Sequence, residues 1–330
     1  MKQISLTGIK PTGTLHIGNY FGAIKPAIEI AQSDDVENYF FLADYHSLNF
    51  LKTADELKTY TKELACAWLA CGVDKTGAHF YRQSKIPEVT ELCWILMNVT
   101  PKGLINRAHA YKAAVQDNEQ NGKDLDDGIN MGLYCYPILM AADILLFNAK
   151  YVPVGLDQKQ HVEMARDIAK YFNKKYGYTL VVPQEKIKEE VATIDGLDGR
   201  KMSKSYGNQI PLFADEKTLK KLVSSIKTDS SLPNEPKSTN CTLFNYYKLF
   251  ANAEKTKQFK KKFDDGISWA DAKAELFEVM DAYLKPMREK FNYYMEHYDE
   301  VETYLKKNED EIRPIAKETL ERVRKAIGVI

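Results

Sequence analysis

The chain has 330 residues, of which 44% are hydrophobic and 28% are charged, and its 46 basic side chains balance its 46 acidic ones. This composition is typical of a globular protein of up to two domains. A net charge of zero excludes a global field that would attract nucleic acid or membranes, so any polyanion must be bound by local patches. The N-terminal residues lack the apolar stretch of a signal peptide, and no run of residues approaches a membrane span.

The cysteines form no CxxC pair and their number is odd. This pattern favours reduced thiols in a cytoplasmic protein over disulfides, and it predicts no zinc site. The five cysteines are Cys66, Cys71, Cys93, Cys135 and Cys241.

In the first two hundred residues, short apolar runs alternate with amphipathic segments. The predicted strands are QISLTG, NYFFLADYHSL, AHFYRQS and YVPVG, and the continuous apolar character of the second is typical of a buried parallel strand. The predicted helices include IGNYFGAIKPAIEIAQ, TADELKTYTKELACAWLACG, NMGLYCYPILMAADILLFNA and DQKQHVEMARDIAKYF. This alternation indicates an α/β fold, a Rossmann-like doubly wound parallel sheet. The polar stretch QDNEQNGKDLDDG is predicted to be a mobile loop.

Beyond about residue 210 the strand signals stop, and we predict a C-terminal α-helical domain over residues 209–330 after an α/β domain over residues 1–208. One helix is predicted over DAKAELFEVMDAYLKPMREKFNYYMEHYDEVETYLKK and a separate last helix over DEIRPIAKETLERVRKAIG. In the last helix, apolar residues recur at steps of three and four, and Gly328 follows as a stop signal.

The first predicted strand runs into a loop rich in Gly, Pro and Thr, in TGIKPTGTLHIGNY. The loop lacks the GxGxxG pattern of an ordinary dinucleotide site, but a helix N-terminus after the first strand of an open sheet is suited to bind phosphate. His16 offers an imidazole, Gly18 allows a ring to approach the backbone, and Asn19 offers an amide. Taken alone, such a turn is weak evidence for a nucleotide site.

A second stretch, GLDGRKMSKSYGN, places two lysines and two serines between glycines at residues 196–208. Such a stretch is commonly a solvated surface turn. It is also what a mobile anion-binding segment requires, since ammonium, hydroxyl and backbone N–H groups all bind phosphate. The stretch by itself leaves both interpretations open.

Together the two stretches resemble the signatures of one family, the class I aminoacyl-tRNA synthetases. HIGN is similar to the family's HIGH signature, and residues 201–205 match its KMSKS signature without a mismatch. The resemblance implies that residues 1–208 form the catalytic domain, which uses ATP, and that residues 209–330 form the tRNA anticodon-binding domain. It implies ATP contacts at Lys10, Pro11, Thr12, His16, Gly18, Asn19, Gly155, Leu156, Asp157, Ile194, Lys201, Met202, Ser203, Lys204 and Ser205.

The choice of amino acid is indicated by the helix YPILMAADILL, where Tyr136, Met140 and Asp143 share one face. A carboxylate on an apolar helix needs a partner. The partner is either a neighbouring donor of the protein or a substrate N–H group, such as that of an indole. The pattern resembles the tryptophanyl branch of the family, because tyrosine enzymes typically carry Gln where Met140 stands. A thioether serves a phenol hydroxyl poorly.

The resemblance implies further site residues and partners. His46, Tyr136, Met140, Asp143 and Gln158 are expected to bind tryptophan. Lys112, Lys201 and Lys204 are expected to be catalytic, although Lys112 also fits a solvated helix lysine. Lys10 departs from the glutamine of the bacterial pattern.

The expected reaction is ATP-dependent ligation of L-tryptophan to tRNA(Trp) by a homodimer, with Mg²⁺ bound to ATP and without an iron–sulfur cluster or zinc. The alternatives are a tyrosine–tRNA ligase, a small nucleotidyltransferase and a catalytically silent RNA-binding relative.

Overall fold

The structure is a computed structural model that describes residues 2–32, 36–154, 158–187 and 194–330. One sheet has the strand order β3-β2-β1-β4-β5, and every neighbouring pair is parallel. Its strands are β1 Gln3–Ile9, β2 Val36–Leu42, β3 His79–Arg82, β4 Tyr151–Val154 and β5 Gln184–Ile187. The strand order reverses between β1 and β4, so the sheet is doubly wound. The predicted Rossmann-like α/β class is confirmed.

The helices surround the sheet and continue to the C-terminal end. They are α1 Ile17–Asn19, α2 Lys25–Ala31, α3 Asp44–Ser47, α4 Ala54–Ala70, α5 Glu88–Met97, α6 Lys102–Ile105, α7 His109–Gln120, α8 Met131–Leu146, α9 Lys159–Tyr176, α10 Glu216–Ser224, α11 Thr242–Phe250, α12 Ala253–Asp264, α13 Trp269–Glu296 and α14 Tyr298–Ile327. A π-helical segment, Tyr20–Ile24, joins α1 to α2. Within the described part of the chain, no helix is both long and apolar enough to cross a membrane.

Some predicted boundaries are wrong. Strand β5 was missed because its sequence, QEKI, is short and mostly polar. The first five residues of the predicted polar loop, 116–120, belong to α7. The last two helices are separated at His297 (φ −111°, ψ 53°) rather than between residues 307 and 310 as predicted. Helix α14 continues through Pro314 and ends before Gly328. Pro314 is exposed, so the carbonyl group that loses its partner to the proline can be hydrated.

Strand β2 places alternate side chains in two separate cores. Phe40 and Leu42 pack in one core with α4, α11 and α13. Tyr39 and Phe41 pack in the other core with α8 and α9. Residues of α14 complete this second core: Ile312, Ala316, Leu320 and Val323. The C-terminal helix is therefore packed onto the sheet rather than attached only through a linker.

Polar side chains of α14 cover the edge strand β3. The Asn308 side-chain carbonyl accepts a hydrogen bond from the Phe80 amide at 3.2 Å. The Arg82 guanidinium donates to both oxygens of Glu309, at 2.7 and 3.0 Å, and to Glu302 at 2.6 and 2.8 Å. Arg82 and Glu309 are buried, so each charge depends on its partner for compensation.

We expect Glu309→Ala to destabilise the protein, because it removes the buried carboxylate that compensates Arg82. Breaking a buried pair costs about 3 kcal/mol, and this cost should appear as a lower free energy of unfolding in urea. The matched control is Glu318→Ala on the same helix, because its ion pair with Arg322 is exposed and should contribute less than about 0.5 kcal/mol. Equal losses in the two variants would contradict the structural role of the Arg82–Glu309 pair.

Candidate active site

Backbone hydrogen bonds join the first βα loop (residues 10–16) to the chain that follows the KMSKS segment (residues 201–205). The Ile17 amide donates to the Ile210 carbonyl at 3.0 Å, and the Leu212 amide donates to the Leu15 carbonyl at 3.0 Å. These bonds place the KMSKS segment beside the HIGN sequence, at the carboxyl end of β1. The two signatures, nearly 200 residues apart in sequence, therefore form one site next to the point where the strand order reverses.

Close packing at this contact requires a glycine. A Cβ atom on Gly18 would lie 2.9 Å from His16 Nδ1 and 3.5 Å from Met202 Sδ, so the methyl group of an alanine would displace the imidazole. Met202 is buried, and it packs the KMSKS segment against the first helix. The Asn19 side-chain oxygen accepts a hydrogen bond from the His16 amide at 3.0 Å and fixes the start of α1.

The Lys204 ammonium group lies against the first βα loop. It donates to the Thr12 carbonyl at 3.3 Å, and a Cβ on Gly13 would come within 2.9 Å of the same nitrogen. Partial burial lowers the pKa of Lys204, and the nearby Glu63 carboxylate opposes this shift. The lysine therefore presents its charge at the loop where the sequence predicts phosphates.

His16 is neutral at physiological pH. Burial, followed by the positive charge of Lys204, lowers the pKa of its imidazole to about 4. The Nδ1 atom is buried and makes no hydrogen bond within the described structure. A neutral imidazole next to an ammonium group can bind a phosphate oxygen through its N–H without a proton transfer.

A second cluster surrounds Asp143, which is buried on α8. His46 Nε2 lies 2.9 Å from Asp143 Oδ2, and the Gln83 amide donates to both carboxylate oxygens at 2.9 Å. Burial raises the pKa of Asp143, and its hydrogen bonds with His46 and Gln83 act in the opposite direction. A carboxylate can accept about four hydrogen bonds, so Asp143 can accept one more from a ligand. Both candidate partners of the carboxylate that the sequence left open are thus compatible with this geometry.

Aromatic rings lie next to this cluster. The Tyr136 ring packs edge-on against His46, with the centroids 4.5 Å apart, and against His161 at 5.4 Å. The Lys10 ammonium lies 5.5 Å from the centre of the Tyr136 ring and 4.7 Å from that of Phe50. Lys10 thus connects the first βα loop with the surroundings of Asp143. Its predicted phosphate role stays a prediction.

The other predicted residues are placed as follows. Met140 is half-buried on α8, Gln158 is half-buried immediately before α9, and Ile194 accepts a hydrogen bond from the Met202 amide at 2.9 Å. Lys112 is exposed on α7, and Pro11 is buried in the first βα loop. The exposed residues of the KMSKS segment are Lys201, Lys204 and Ser205, and the Ser203 and Ser205 hydroxyls are 2.8 Å apart. The predicted ATP contacts Gly155, Leu156 and Asp157 lie outside the described residues.

Gln83 is a member of the Asp143 cluster that the sequence analysis missed. It is 1% exposed, and its side-chain oxygen has no partner within the described structure. The signal was present in AHFYRQS, because polar residues at the carboxyl end of a buried parallel strand commonly face a ligand. Its pairing with Asp143, 60 residues away, could not be read from either segment.

The fold and the joined signatures define a class I aminoacyl-tRNA synthetase. A model of the family tRNA synthetases class I (W and Y) matches residues 2–285, and the chain belongs to this family. It is 51% identical, over 98% of its length and 76% of the relative, to tryptophan--tRNA ligase of Xanthomonas campestris pv. campestris. It is 49% identical to tryptophan--tRNA ligase of Neisseria meningitidis, covering 99% of this chain and 98% of the relative.

A crystal structure of tryptophanyl-tRNA synthetase from Campylobacter jejuni, complexed with ADP and tryptophan, is similar over the whole chain. The TM-score is 0.90 at 41% identity, and the match covers 99% of this chain and 100% of that one. The resemblance found in the two signatures is therefore confirmed at the level of the family and of its tryptophanyl branch.

We expect the His16 imidazole to remain neutral down to about pH 4, whereas an ordinary imidazole titrates near pH 6.5. Lys204→Ala should raise the pKa of His16, because it removes a nearby positive charge. The value should stay below the ordinary one, since burial is the larger cause. NMR titration of the ring signals, assigned with a His16→Gln variant, measures both values.

The matched control is Lys201→Ala, which removes the other lysine of the KMSKS segment and should leave the pKa of His16 unchanged. A wild-type imidazole that titrates near pH 6.5, or equal shifts in the two lysine variants, would contradict the described contact between Lys204 and the first βα loop.

Proposed function

We propose that the protein activates L-tryptophan with ATP and transfers the tryptophanyl group to the 3′ end of tRNA(Trp). The predicted activity of a tryptophan–tRNA ligase is confirmed by curated relatives that are about half identical over nearly the whole chain. The observation that supports tryptophan specificity is the buried carboxylate of Asp143 on the apolar helix α8, one turn after Met140.

In this proposal the indole N–H of tryptophan donates to Asp143, and Met140 packs against the ring. His46 and Gln83 hold the carboxylate in place through the hydrogen bonds described above. Tyr136, next to His46, borders the same pocket. An analogue that lacks the N–H would leave a buried acceptor unpaired, which a protein site penalises strongly.

The chemistry needs positioning rather than a nucleophile of the protein. A carboxylate oxygen of tryptophan attacks the α-phosphorus of ATP, a new O–P bond forms, and the bond to pyrophosphate breaks. The protein must hold two anionic groups in line and stabilise the charge of the leaving pyrophosphate. His16, Lys201 and Lys204 are the groups that we assign to the phosphates.

Mg²⁺ is assigned to the ATP phosphates. Among the described residues there is no group of three or more His, Cys, Asp or Glu side chains that could hold a metal ion. This observation does not fit a metal site built from the described residues. The ion would arrive with the nucleotide, whose phosphates supply the oxygen ligands that it prefers.

The helical part after residue 208 is assigned to tRNA, with the anticodon as its target. Helix α12 exposes five lysines, and two of them, Lys260 and Lys262, are paired with Asp264 and Glu275. The full set is Lys255, Lys257, Lys260, Lys261 and Lys262. Because the chain has no net charge, RNA must be bound by a local basic surface of this kind, whose ammonium groups neutralise the phosphates.

We further propose that the enzyme is a cytoplasmic homodimer. Trp94 on α5 is 68% exposed and Met131 at the start of α8 is 69% exposed, and these two helices pack against each other. Exposed large apolar side chains on adjoining helices are typical of a surface that another protein covers. All five cysteines are free thiols, which suits a reducing compartment.

We expect Asp143→Ala to reduce tryptophan activation by about 100-fold or more, because the indole N–H loses its acceptor in a buried site. ATP–pyrophosphate exchange with tryptophan, tyrosine and phenylalanine, each offered separately to both proteins, measures this effect. A tryptophan analogue with sulfur in place of the indole N–H should be a poor substrate of the wild type. The variant should discriminate against it much less.

Retained ATP binding by Asp143→Ala serves as the control for its folding. Exchange with tyrosine instead of tryptophan would contradict the assignment of the pocket. The absence of exchange with every amino acid would favour a nucleotidyltransferase or a silent RNA-binding protein.

We expect Lys204→Ala to lower the rate of adenylate formation far more than it weakens ATP binding. An interaction that strengthens as pyrophosphate leaves contributes to the rate rather than to ground-state affinity. Single-turnover kinetics and equilibrium titration with ATP separate the two quantities. Equal losses in rate and affinity would mean that the KMSKS segment is only a binding surface.

A further inference from the structure

The KMSKS segment begins at the end of a short antiparallel hairpin. The Met202 amide donates to the Ile194 carbonyl at 2.9 Å, and Asp195 and Lys201 form an antiparallel bridge. The turn of the hairpin ends at Gly199, whose φ of +82° favours glycine. After the hairpin, the segment continues into a single 3₁₀ turn, Lys204–Tyr206, in which the Tyr206 amide donates to the Ser203 carbonyl at 3.2 Å. Between the hairpin and this turn, the Ser203 amide is bonded by a side chain.

The Asn208 side chain makes this hydrogen bond from inside the loop. Asn208 is 3% exposed, and its side-chain oxygen accepts a hydrogen bond from the Ser203 amide at 2.9 Å. Its side-chain nitrogen donates to Asp198 Oδ1 at 2.7 Å and to the Lys201 carbonyl at 3.1 Å. One amide group therefore connects the hairpin turn with the backbone on both sides of Met202.

The surroundings of Asn208 are shaped to hold its amide group. A Cβ atom on Gly196 would lie 2.1 Å from the Asn208 side-chain nitrogen, so only glycine leaves room for the amide at this position. The hydrogen bond from Asn208 is the largest cause that lowers the pKa of Asp198 to about 2, and Arg200 adds to it. Asp198 is thus ionised and accepts hydrogen bonds, which determines the direction in which the Asn208 amide points.

We propose that Asn208 is a positioning residue for adenylate formation, because it holds the backbone between Lys201 and Lys204 in the conformation that directs both lysines to the phosphates. This inference rests on the proposed function of the site. Asn208 touches no substrate in this role. Its effect should therefore appear in the rate of the chemical step rather than in the affinity for ATP.

The informative variant is Asn208→Asp. It preserves the size of the side chain and the acceptor for the Ser203 amide, but it removes both donated hydrogen bonds. It also places a second carboxylate within hydrogen-bond distance of Asp198. A hydrogen bond to a charged group corresponds to about tenfold or more in an equilibrium or rate constant. We therefore expect at least about a tenfold lower rate of adenylate formation near pH 8, with an ATP dissociation constant within about threefold of the wild-type value.

The pH dependence of the rate of adenylate formation is a second test of the Asn208→Asp variant. Two carboxylates at this distance favour a shared proton, because each negative charge raises the pKa of the other group, while the Arg200 guanidinium paired with Asp198 opposes this shift. As the pH is lowered from about 8 to about 6, the shared proton replaces the missing donor. The rate deficit of the variant relative to the wild type at the same pH should then become smaller. A purely structural defect would not respond in this way.

Exchanging the two side chains should restore the donor. In the double variant Asp198→Asn with Asn208→Asp, the amide at residue 198 can donate to the carboxylate at residue 208. We expect its rate to exceed that of Asn208→Asp at pH 8 by about threefold if half of the hydrogen-bond energy behind a tenfold loss returns. The matched control is Asn240→Asp, the same chemical change at an exposed residue, which should behave as the wild type. Thermal unfolding of all variants checks that each is folded.

The role of Asn208 is overturned if Asn208→Asp keeps the wild-type rate, if it loses rate and ATP affinity in parallel, or if the exchanged pair is no faster than the single variant. These outcomes are measured against wild-type exchange with tryptophan. A wild-type protein without such exchange would instead overturn the proposed function, so the two failures are distinguishable.

Discussion

The active site depends on two backbone hydrogen bonds between distant parts of the chain, from Ile17 to Ile210 and from Leu212 to Leu15. Neither signature is a site alone. The first offers a helix start and a neutral imidazole, and the second offers ammonium groups on a segment that follows a short hairpin. The short antiparallel contact joins them, so that His16 and Lys204 face the same site at the carboxyl edge of the sheet. Burial, followed by the nearby charge of Lys204, lowers the pKa of His16.

The second constraint is the burial of the Asp143 carboxylate. A buried charge must be compensated, and its partners come from two other parts of the fold: His46 lies on α3, and Gln83 follows β3 directly. These partners satisfy the carboxylate only in part. The remaining acceptor capacity allows the same group to serve as the specificity determinant that we propose, because a substrate donor can complete its hydrogen bonding.

The C-terminal helix is linked to this pocket through the last residue of β3 and the residue that follows it. Arg82 is held by Glu309 of α14, and the next residue, Gln83, donates to Asp143. The part of the chain that we assign to tRNA therefore contacts the strand that leads directly into a pocket residue. In the same way, Tyr246 of α11 donates to the Asp195 carbonyl in the hairpin that leads into the KMSKS segment. Both halves of the site are supported by helices that come after them in the chain.

The sequence by itself determined the α/β class, four of the strands, the two signatures and the face of α8 that carries Tyr136, Met140 and Asp143. These features are local, since hydrophobic periodicity and short motifs depend on residues within a few turns of each other. Only the tertiary structure decided that Gln83 meets Asp143, that Asn208 lies inside the KMSKS loop between hairpin turn and lysines, and that Arg82 is compensated by Glu309. A buried polar group can be satisfied by any donor that the fold brings near it, and the partner's position in the sequence carries no periodic signal. The position of the break between the last two helices was also decided by the tertiary structure. The local pattern predicts this break shortly before Pro314, but packing against the sheet favours a continuous α14 through Pro314, and the break lies at His297.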